Sequence, residues 1–201
     1  MSAASHMTES LAVIARLTEA AHTAWVVGGS AGLMLRGLPL PQPPGDLDLY
    51  ADEPDAEKLH QLLSAYAVDQ PQRSRSGLYD SVLSHYRIGE TQVELVGGFT
   101  ITDPKGSYRT EVREVLLADA YCTKAAGIQV ALVPLVHELL FNALRGRADR
   151  TSLIARALEE EPGSDGHIRL LRKIASRNRL SPELTRQMNA WVSRSREGDL
   201  R

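Results

Sequence analysis

The sequence predicts an α+β protein, a mixed sheet flanked by helices, with a small helical C-terminal part. Up to about residue 133, short apolar segments typical of buried strands alternate with amphipathic helical segments. The pair Gly89-Glu90 separates two of these strands, as in a hairpin. Beyond Gly146 the apolar spacing is helical. We therefore place an α+β domain over residues 8–135 and a helical region over residues 136–201.

Each predicted element depends on a local signal. Leu11, Ile14 and Leu17 recur at helical spacing and predict the first helix. Gly37 ends a second helix and Pro134 opens a later one. The predicted helices are Thr8–Ala21, Ser30–Arg36, Pro54–Ala65 and Pro134–Leu144, followed by helices with breaks near Pro162–Gly163 and Ser181–Pro182. The predicted strands are Trp25–Val27, Asp46–Tyr50, Val82–Ile88, Thr91–Val96, Tyr108–Val112 and, as the last, Ile128–Val133.

Composition narrows the class of protein. A hydrophobic fraction of 43% and a charged fraction of 24% are ordinary for a globular protein. The sequence has neither an apolar run long enough for a membrane span nor a signal pattern, and Cys122 is its one cysteine. We therefore expect a cytoplasmic protein without an intrachain disulfide. The residues before Met7 are typical of a cloning remnant, and no function is assigned to them.

Charge is divided unevenly along the chain. Residues 1–139 carry 10 basic and 17 acidic side chains, whereas residues 140–201 carry 13 basic and 8 acidic ones. A basic helical tail is compatible with a polyanionic partner, although solvated helix faces are the simpler explanation.

The stretch from Trp25 to Tyr50 carries the chemistry. Asp46 and Asp48 are two residues apart on a predicted strand, so they point to one side while Leu47 and Leu49 point to the other. Their repulsion is on the order of 2–3 kcal/mol at an effective dielectric near 20, and a cation between them would reverse it. Oxygen-only ligands suit Mg²⁺ or Mn²⁺. The alternative is a solvent-facing acidic strand end.

Two further features support a phosphate-handling site. Gly28 and Gly29 let the backbone approach a phosphate closely, and Ser30 opens a helix with a hydroxyl donor. Glu94 lies on a later strand and could complete the metal site. The alternative for the glycine pair is a tight turn between strand and helix. The alternative for Glu94 is a charged residue on the solvent-exposed face of a hairpin, and Asp80 and Glu90 are weaker substitutes for it. Tyr50 is a candidate for stacking on a base or for core packing.

Gly28-Gly29-Ser30, Asp46-Leu47-Asp48 and the later Glu94 resemble the nucleotidyltransferase-fold superfamily, which is polymerase-beta-like. The segment from Gly127 to Asp149 resembles small bacterial AbiEii-like nucleotidyltransferases. The resemblance implies a Mg²⁺- or Mn²⁺-dependent enzyme that moves a nucleoside monophosphate from an NTP to an acceptor hydroxyl. It implies metal binding and catalysis by Asp46, Asp48 and Glu94, and nucleotide binding by Gly28, Gly29, Ser30, Arg145 and Arg147.

The acceptor stays open at this point: tRNA, a protein or a small molecule such as an antibiotic. A homodimer is also compatible with the helical tail. The alternative function is a catalytically inactive member of the same fold, acting as a nucleotide sensor or a toxin–antitoxin-type partner. Glutamate in place of the usual aspartate at residue 94, and the lack of lysine in Arg145–Arg150, favour that alternative.

Overall fold

The structure, a computed structural model, describes residues 3–161 and 164–194. It divides into two compact units. The first contains the described residues up to Ser76, together with Asp80–Phe99 and Thr110–Val133. The second contains Gly77–Tyr79, Thr100–Arg109 and the described residues from Pro134 onward. No helix in the described part of the chain is long and apolar enough to span a bilayer.

The first unit is built on a mixed sheet. Its strands are Trp25–Gly28 (β1), Leu47–Ala51 (β2), Gln72–Ser76 (β3), Tyr121–Ala125 (β7), Ile128–Leu132 (β8) and most of Tyr79–Ile88 (β4) and Thr91–Asp103 (β5). Across the sheet they follow the order β3-β4-β5-β2-β1-β8-β7. Strand β1 pairs antiparallel with β2 and parallel with β8, while β2 pairs parallel with β5.

One face of this sheet carries the core. Alternate side chains of the central strands, among them Leu47, Leu49 and Leu95, are almost wholly buried in a single apolar cluster. Burying each of these leucines contributes roughly 2 kcal/mol. Leu11 and Leu59 join the same cluster from two helices, α1 (Ala3–Thr18) and α3 (Glu53–Leu62). A third helix, α2 (Gly29–Leu35), directly follows β1.

The second unit is mainly helical. Strand β6 (Gly106–Arg109) pairs antiparallel with the end of β5 and with the two-residue β9 (Arg179–Leu180). Every residue of α4 (Leu135–Leu144) is buried, which suits its continuous apolar sequence. Within this unit the Tyr108 hydroxyl lies 2.7 Å from His137 Nδ1. The remaining helices are α5 (Ala148–Glu160), α6 (Ser164–Arg177) and α7 (Pro182–Ser193).

The predicted fold class, a mixed sheet flanked by helices, is confirmed. Several element bounds were wrong. The first helix runs from Ala3 to Thr18 instead of Thr8–Ala21, and the predicted strand at Tyr108–Val112 is β6 followed by a helical turn at Val112–Leu116. Ile128–Leu132 is followed by one further strand, β9. The predicted break at Pro162–Gly163 lies outside the described residues.

Besides β9, the strands β3 and β7 had no counterpart in the prediction. They lie at the two ends of the strand order, and most of their residues are exposed. Edge strands of this kind need little apolar sequence because only one side is paired. Hydrophobic periodicity therefore gives no signal for them. Strand β5 also continues seven residues beyond the predicted end at Val96.

Candidate active site

Three predicted site residues lie side by side on adjacent strands. The β1–β2 register pairs Gly28 with Asp48, and the β2–β5 register pairs Asp48 with Glu94. Residues paired directly across strands point to the same face of a sheet. The neighbouring pairs Leu47–Val93 and Leu49–Leu95 point into the core. Asp48 and Glu94 therefore lie on the opposite, partly exposed face.

Asp46 comes one residue before β2 and completes the acidic group. Partial burial raises the pKa of Glu94 above its ordinary value, the charge of Asp46 raises it further, and His85 lowers it. Glu94 therefore lies within the electrostatic reach of Asp46 as well as next to Asp48 in the sheet. Three carboxylates in such proximity repel one another unless a cation or a proton neutralises them.

Gly29 is required by the position of Asp48. Its φ is +60°, a conformation that residues with a side chain rarely adopt. A Cβ atom built on Gly29 would lie 2.0 Å from Asp48 Oδ2, closer than real atoms approach. The missing side chain thus leaves the space that the Asp48 carboxylate occupies.

Gly28 is required by a different neighbour. A Cβ atom there would lie 2.1 Å from the Tyr50 ring. Tyr50 is only 4% exposed and meets Phe99 edge to face, with ring centroids 5.5 Å apart. Of the two predicted roles for Tyr50, the structure places the ring in the packing role. Ser30 is the second residue of α2 and is half-buried.

Arg145 and Arg147, the predicted nucleotide-binding arginines, belong to the second unit. The Arg145 guanidinium lies over the rings of Phe141 and Tyr79, at 5.5 and 5.8 Å from their centroids. Arg147 donates two hydrogen bonds to the Asp149 carboxylate, at 3.0 and 2.8 Å. Both side chains are exposed, and their proposed contact with nucleotide stays a prediction.

The weaker substitutes for Glu94 have other surroundings. The Asp80 carboxylate pairs with Arg73 at 2.5 Å and with Arg75 at 3.2 Å. Glu90 is exposed in the turn between β4 and β5. Neither shares a paired position with Asp48, whereas Glu94 does.

Sequence reasoning missed two residues beside Glu94. His85 Nε2 lies 3.8 Å from Glu94 Oε1, and His85 Nδ1 lies 2.5 Å from Asp69 Oδ2. A signal for the first contact was present in the sequence. His85 and Glu94 are each four residues from the two-residue turn, so a regular hairpin brings them opposite one another. For Asp69, which lies in a loop, no comparable signal exists.

The donor set suits a hard divalent cation, because all three side chains offer only carboxylate oxygens. The space that Gly29 leaves for the Asp48 carboxylate adds a preformed position for one of them. Within residues 3–161 and 164–194, no three Asp, Glu, His or Cys side chains are gathered closely enough to hold an ion as they stand. Side-chain rotation would have to bring the three carboxylates together before they could hold one.

Comparison with known proteins identifies the fold. No family model and no curated protein matches the sequence. A candidate nucleotidyltransferase from Thermotoga maritima matches the structure with a TM-score of 0.59 at 20% identity, covering 76% of this chain and 92% of that chain. The solution structure of the antibiotic-resistance factor ANT(2'')-Ia matches with a TM-score of 0.50 at 12% identity, covering 85% of this chain and 92% of that one.

The chain therefore has the nucleotidyltransferase fold, as the sequence predicted. At these identities the likeness concerns the fold alone. The narrower resemblance to AbiEii-like enzymes stays a prediction.

Proposed function

We propose that this protein is a nucleotidyltransferase that uses an NTP and a divalent cation, Mg²⁺ or Mn²⁺. The observation that carries the proposal is the strand register that places Gly28, Asp48 and Glu94 in one row on the face opposite the core. Asp46, two residues before Asp48, adds a third carboxylate close enough to raise the pKa of Glu94. A nucleotidyltransferase fold with this acidic row is suited to nucleotidyl transfer.

In the proposed reaction, an acceptor hydroxyl oxygen forms a bond to the α-phosphorus of the NTP, and the bond to the β-phosphate breaks. The hydroxyl proton leaves to a base, and pyrophosphate takes the bonding electrons. Asp46, Asp48 and Glu94 would hold the cation, which supplies neutralisation of the charge that develops on the phosphates. Glu94 would serve as the third ligand or as the base that accepts the proton.

The remaining predicted residues would hold the nucleotide. Gly29 and Ser30 offer backbone N–H groups and a hydroxyl directly after β1, beside Asp48. Gly28 would contribute backbone groups, and the Tyr50 ring occupies the space that a side chain at this position would need. Nucleotide binding by Arg145 and Arg147, as the resemblance implies, is part of the proposal. The acceptor remains open among tRNA, protein and small molecules.

The test is transfer of label from each of the four α-labelled NTPs into a cell extract, with Mg²⁺ or Mn²⁺. We expect Asp46→Asn and Asp48→Asn to reduce transfer at least ~100-fold, because each variant removes an anionic oxygen that the transition state needs. Thermal stability should not fall, since each change also removes carboxylate repulsion. Asp119→Asn, a change at an exposed acid outside the row, is the matched control. Undiminished transfer in both Asp46→Asn and Asp48→Asn would refute the proposal.

A ligand-binding measurement separates the enzyme from an inactive member of the fold. If the protein binds the Mg²⁺ complex of an NTP, a concentration of that complex equal to 100 times its dissociation constant should stabilise the folded state by roughly 2.7 kcal/mol. Stabilisation without label transfer would favour a nucleotide sensor. No stabilisation by any NTP, with or without Mg²⁺, would favour a role through a protein partner.

A further inference from the structure

Asp69 holds His85 in one orientation. Its carboxylate contacts His85 twice: Oδ1 accepts the backbone N–H at 2.7 Å, and Oδ2 lies 2.5 Å from Nδ1 of the ring. The Val68 N–H donates to the His85 carbonyl at 2.8 Å, and Ala67 forms an isolated bridge with Tyr86. The loop that carries Asp69 therefore runs along β4 and is fixed to it. With Nδ1–H donated to Asp69, the ring can rotate little.

This orientation directs the other ring nitrogen at Glu94. His85 Nε2 lies 3.8 Å from Glu94 Oε1, while the side chains remain 40% and 35% exposed. An ion pair with that exposure contributes little to folding stability. Its main physical effect is to limit the rotamers of Glu94, whose side chain has one more rotatable bond than an aspartate would have. Carboxylates that bind a metal ion commonly have an outer partner of this kind, which restricts their orientation.

We propose that Asp69 and His85 are positioning residues: from the β4 side of Glu94, opposite Asp48, they restrict one carboxylate oxygen and leave the other for the divalent cation, and they thereby set the affinity of the site for that cation. This inference rests on the proposed function, because it takes Glu94 as a metal ligand. The Asp69–His85 pair restricts where the oxygens of the flexible Glu94 side chain can go.

The test measures binding of Mn²⁺ alone to the full chain. Binding is detected as a decrease in the electron paramagnetic resonance signal of free Mn²⁺. We expect His85→Ala to weaken Mn²⁺ binding ~10-fold or more, the usual consequence of losing an outer partner of a metal ligand. Asp69→Asn should weaken it in the same direction, since an amide cannot accept from both the His85 N–H and the ring. His85→Gln, which keeps a nitrogen near the Nε2 position, should recover part of the loss.

Arg87→Ala is the matched control, since Arg87 is an exposed residue two positions further along the same strand. It should leave Mn²⁺ affinity unchanged. Unfolding midpoints of all variants, measured without cation, identify any variant that fails to fold.

A double-mutant cycle distinguishes positioning from a general structural role. If His85 acts through Glu94, His85→Ala should have no further effect on Mn²⁺ affinity in a Glu94→Ala background. Wild-type affinity in His85→Ala, or equal losses in both backgrounds, would overturn the inference while leaving the proposed function intact. If Glu94→Ala itself leaves Mn²⁺ affinity unchanged, or wild-type protein binds no Mn²⁺, both the inference and the metal assignment of Glu94 fail.

Discussion

Replacing Gly29 with alanine should disturb the candidate site more than it disturbs the fold. The new Cβ would lie 2.0 Å from Asp48 Oδ2, whereas real Cβ atoms essentially never come within 3.0 Å of another atom. The carboxylate must therefore move by about 1 Å, because the alternative is a shift of the β1–β2 backbone. A misplacement of about 1 Å at a reacting centre can reduce catalysis on the order of 100-fold.

The stability cost has two parts. Placing alanine at a φ of +60° costs about 1–2 kcal/mol. Overpacking against Asp48 adds about 1–3 kcal/mol. The sum, about 2–5 kcal/mol, is smaller than the stability of many domains of this size, so the variant should still fold. Its thermal midpoint should fall by several degrees.

Substitutions at two other glycines measure the backbone strain and the overpacking separately. Gly89 has nearly the same φ, +57°, but no atom lies within 4 Å of the position that a Cβ would take there, so Gly89→Ala measures backbone strain alone. Gly28 has an extended φ of −121°, and its Cβ would meet the Tyr50 ring, so Gly28→Ala measures overpacking without strain. Chemical denaturation gives the three unfolding free energies, and Mn²⁺ binding with label transfer reports on the site.

We expect Gly29→Ala to lose Mn²⁺ affinity and transfer, and Gly89→Ala to keep both at a cost of about 1–2 kcal/mol. If Gly29→Ala costs no more stability than Gly89→Ala and retains wild-type Mn²⁺ affinity, then Asp48 does not need the space beside Gly29. That result would refute the reasoning that links this glycine to the carboxylate.

Three further variants test individual groups. Tyr50→Ala should cost about 3–5 kcal/mol in denaturation experiments, because the buried ring fills the space over Gly28; a near-neutral effect would return Tyr50 to the base-stacking role. Burial lowers the pKa of His137 to about 3. An unfolded histidine titrates near 6.5, so stability should fall by about 1.4 kcal/mol per pH unit as pH decreases below that value. His137→Leu should remove that part of the slope, and an unchanged slope would contradict the burial argument. Because the pKa of Glu94 is raised, its contribution to stability is present at low pH and lost as pH rises through its folded value. Glu94→Gln should therefore be at least as stable as wild type at pH 7 without divalent cation, and a clear loss of stability there would show that the charged form is favoured.

Local sequence signals recovered the central elements of the fold. The alternation of Asp46 and Asp48 with buried leucines predicted β2 within one residue of its observed bounds. Gly37 correctly marked the end of α2, and Pro134 correctly marked the start of α4. These signals work because they depend on backbone conformation and side-chain periodicity, which act over a few residues.

The missed elements lacked such signals. Strands β3 and β7 are polar because each is at a sheet edge, and their existence depends on a partner strand. The first helix extends to Ala3, beyond the apolar pattern that predicted it, because alanine and neighbouring residues continue a helix once it has formed.

The sequence by itself determined which side chains could share a face: two aspartates separated by leucines, a glycine pair at a strand end, and a glutamate on a later strand. Only the tertiary structure decided that Glu94 pairs with Asp48, that Asp48 and Tyr50 occupy the spaces beside Gly29 and Gly28, and that Asp69 orients His85. Periodicity determines the direction of a side chain relative to its own strand. The order and register of distant strands depend instead on packing of the whole sheet, which no local pattern contains.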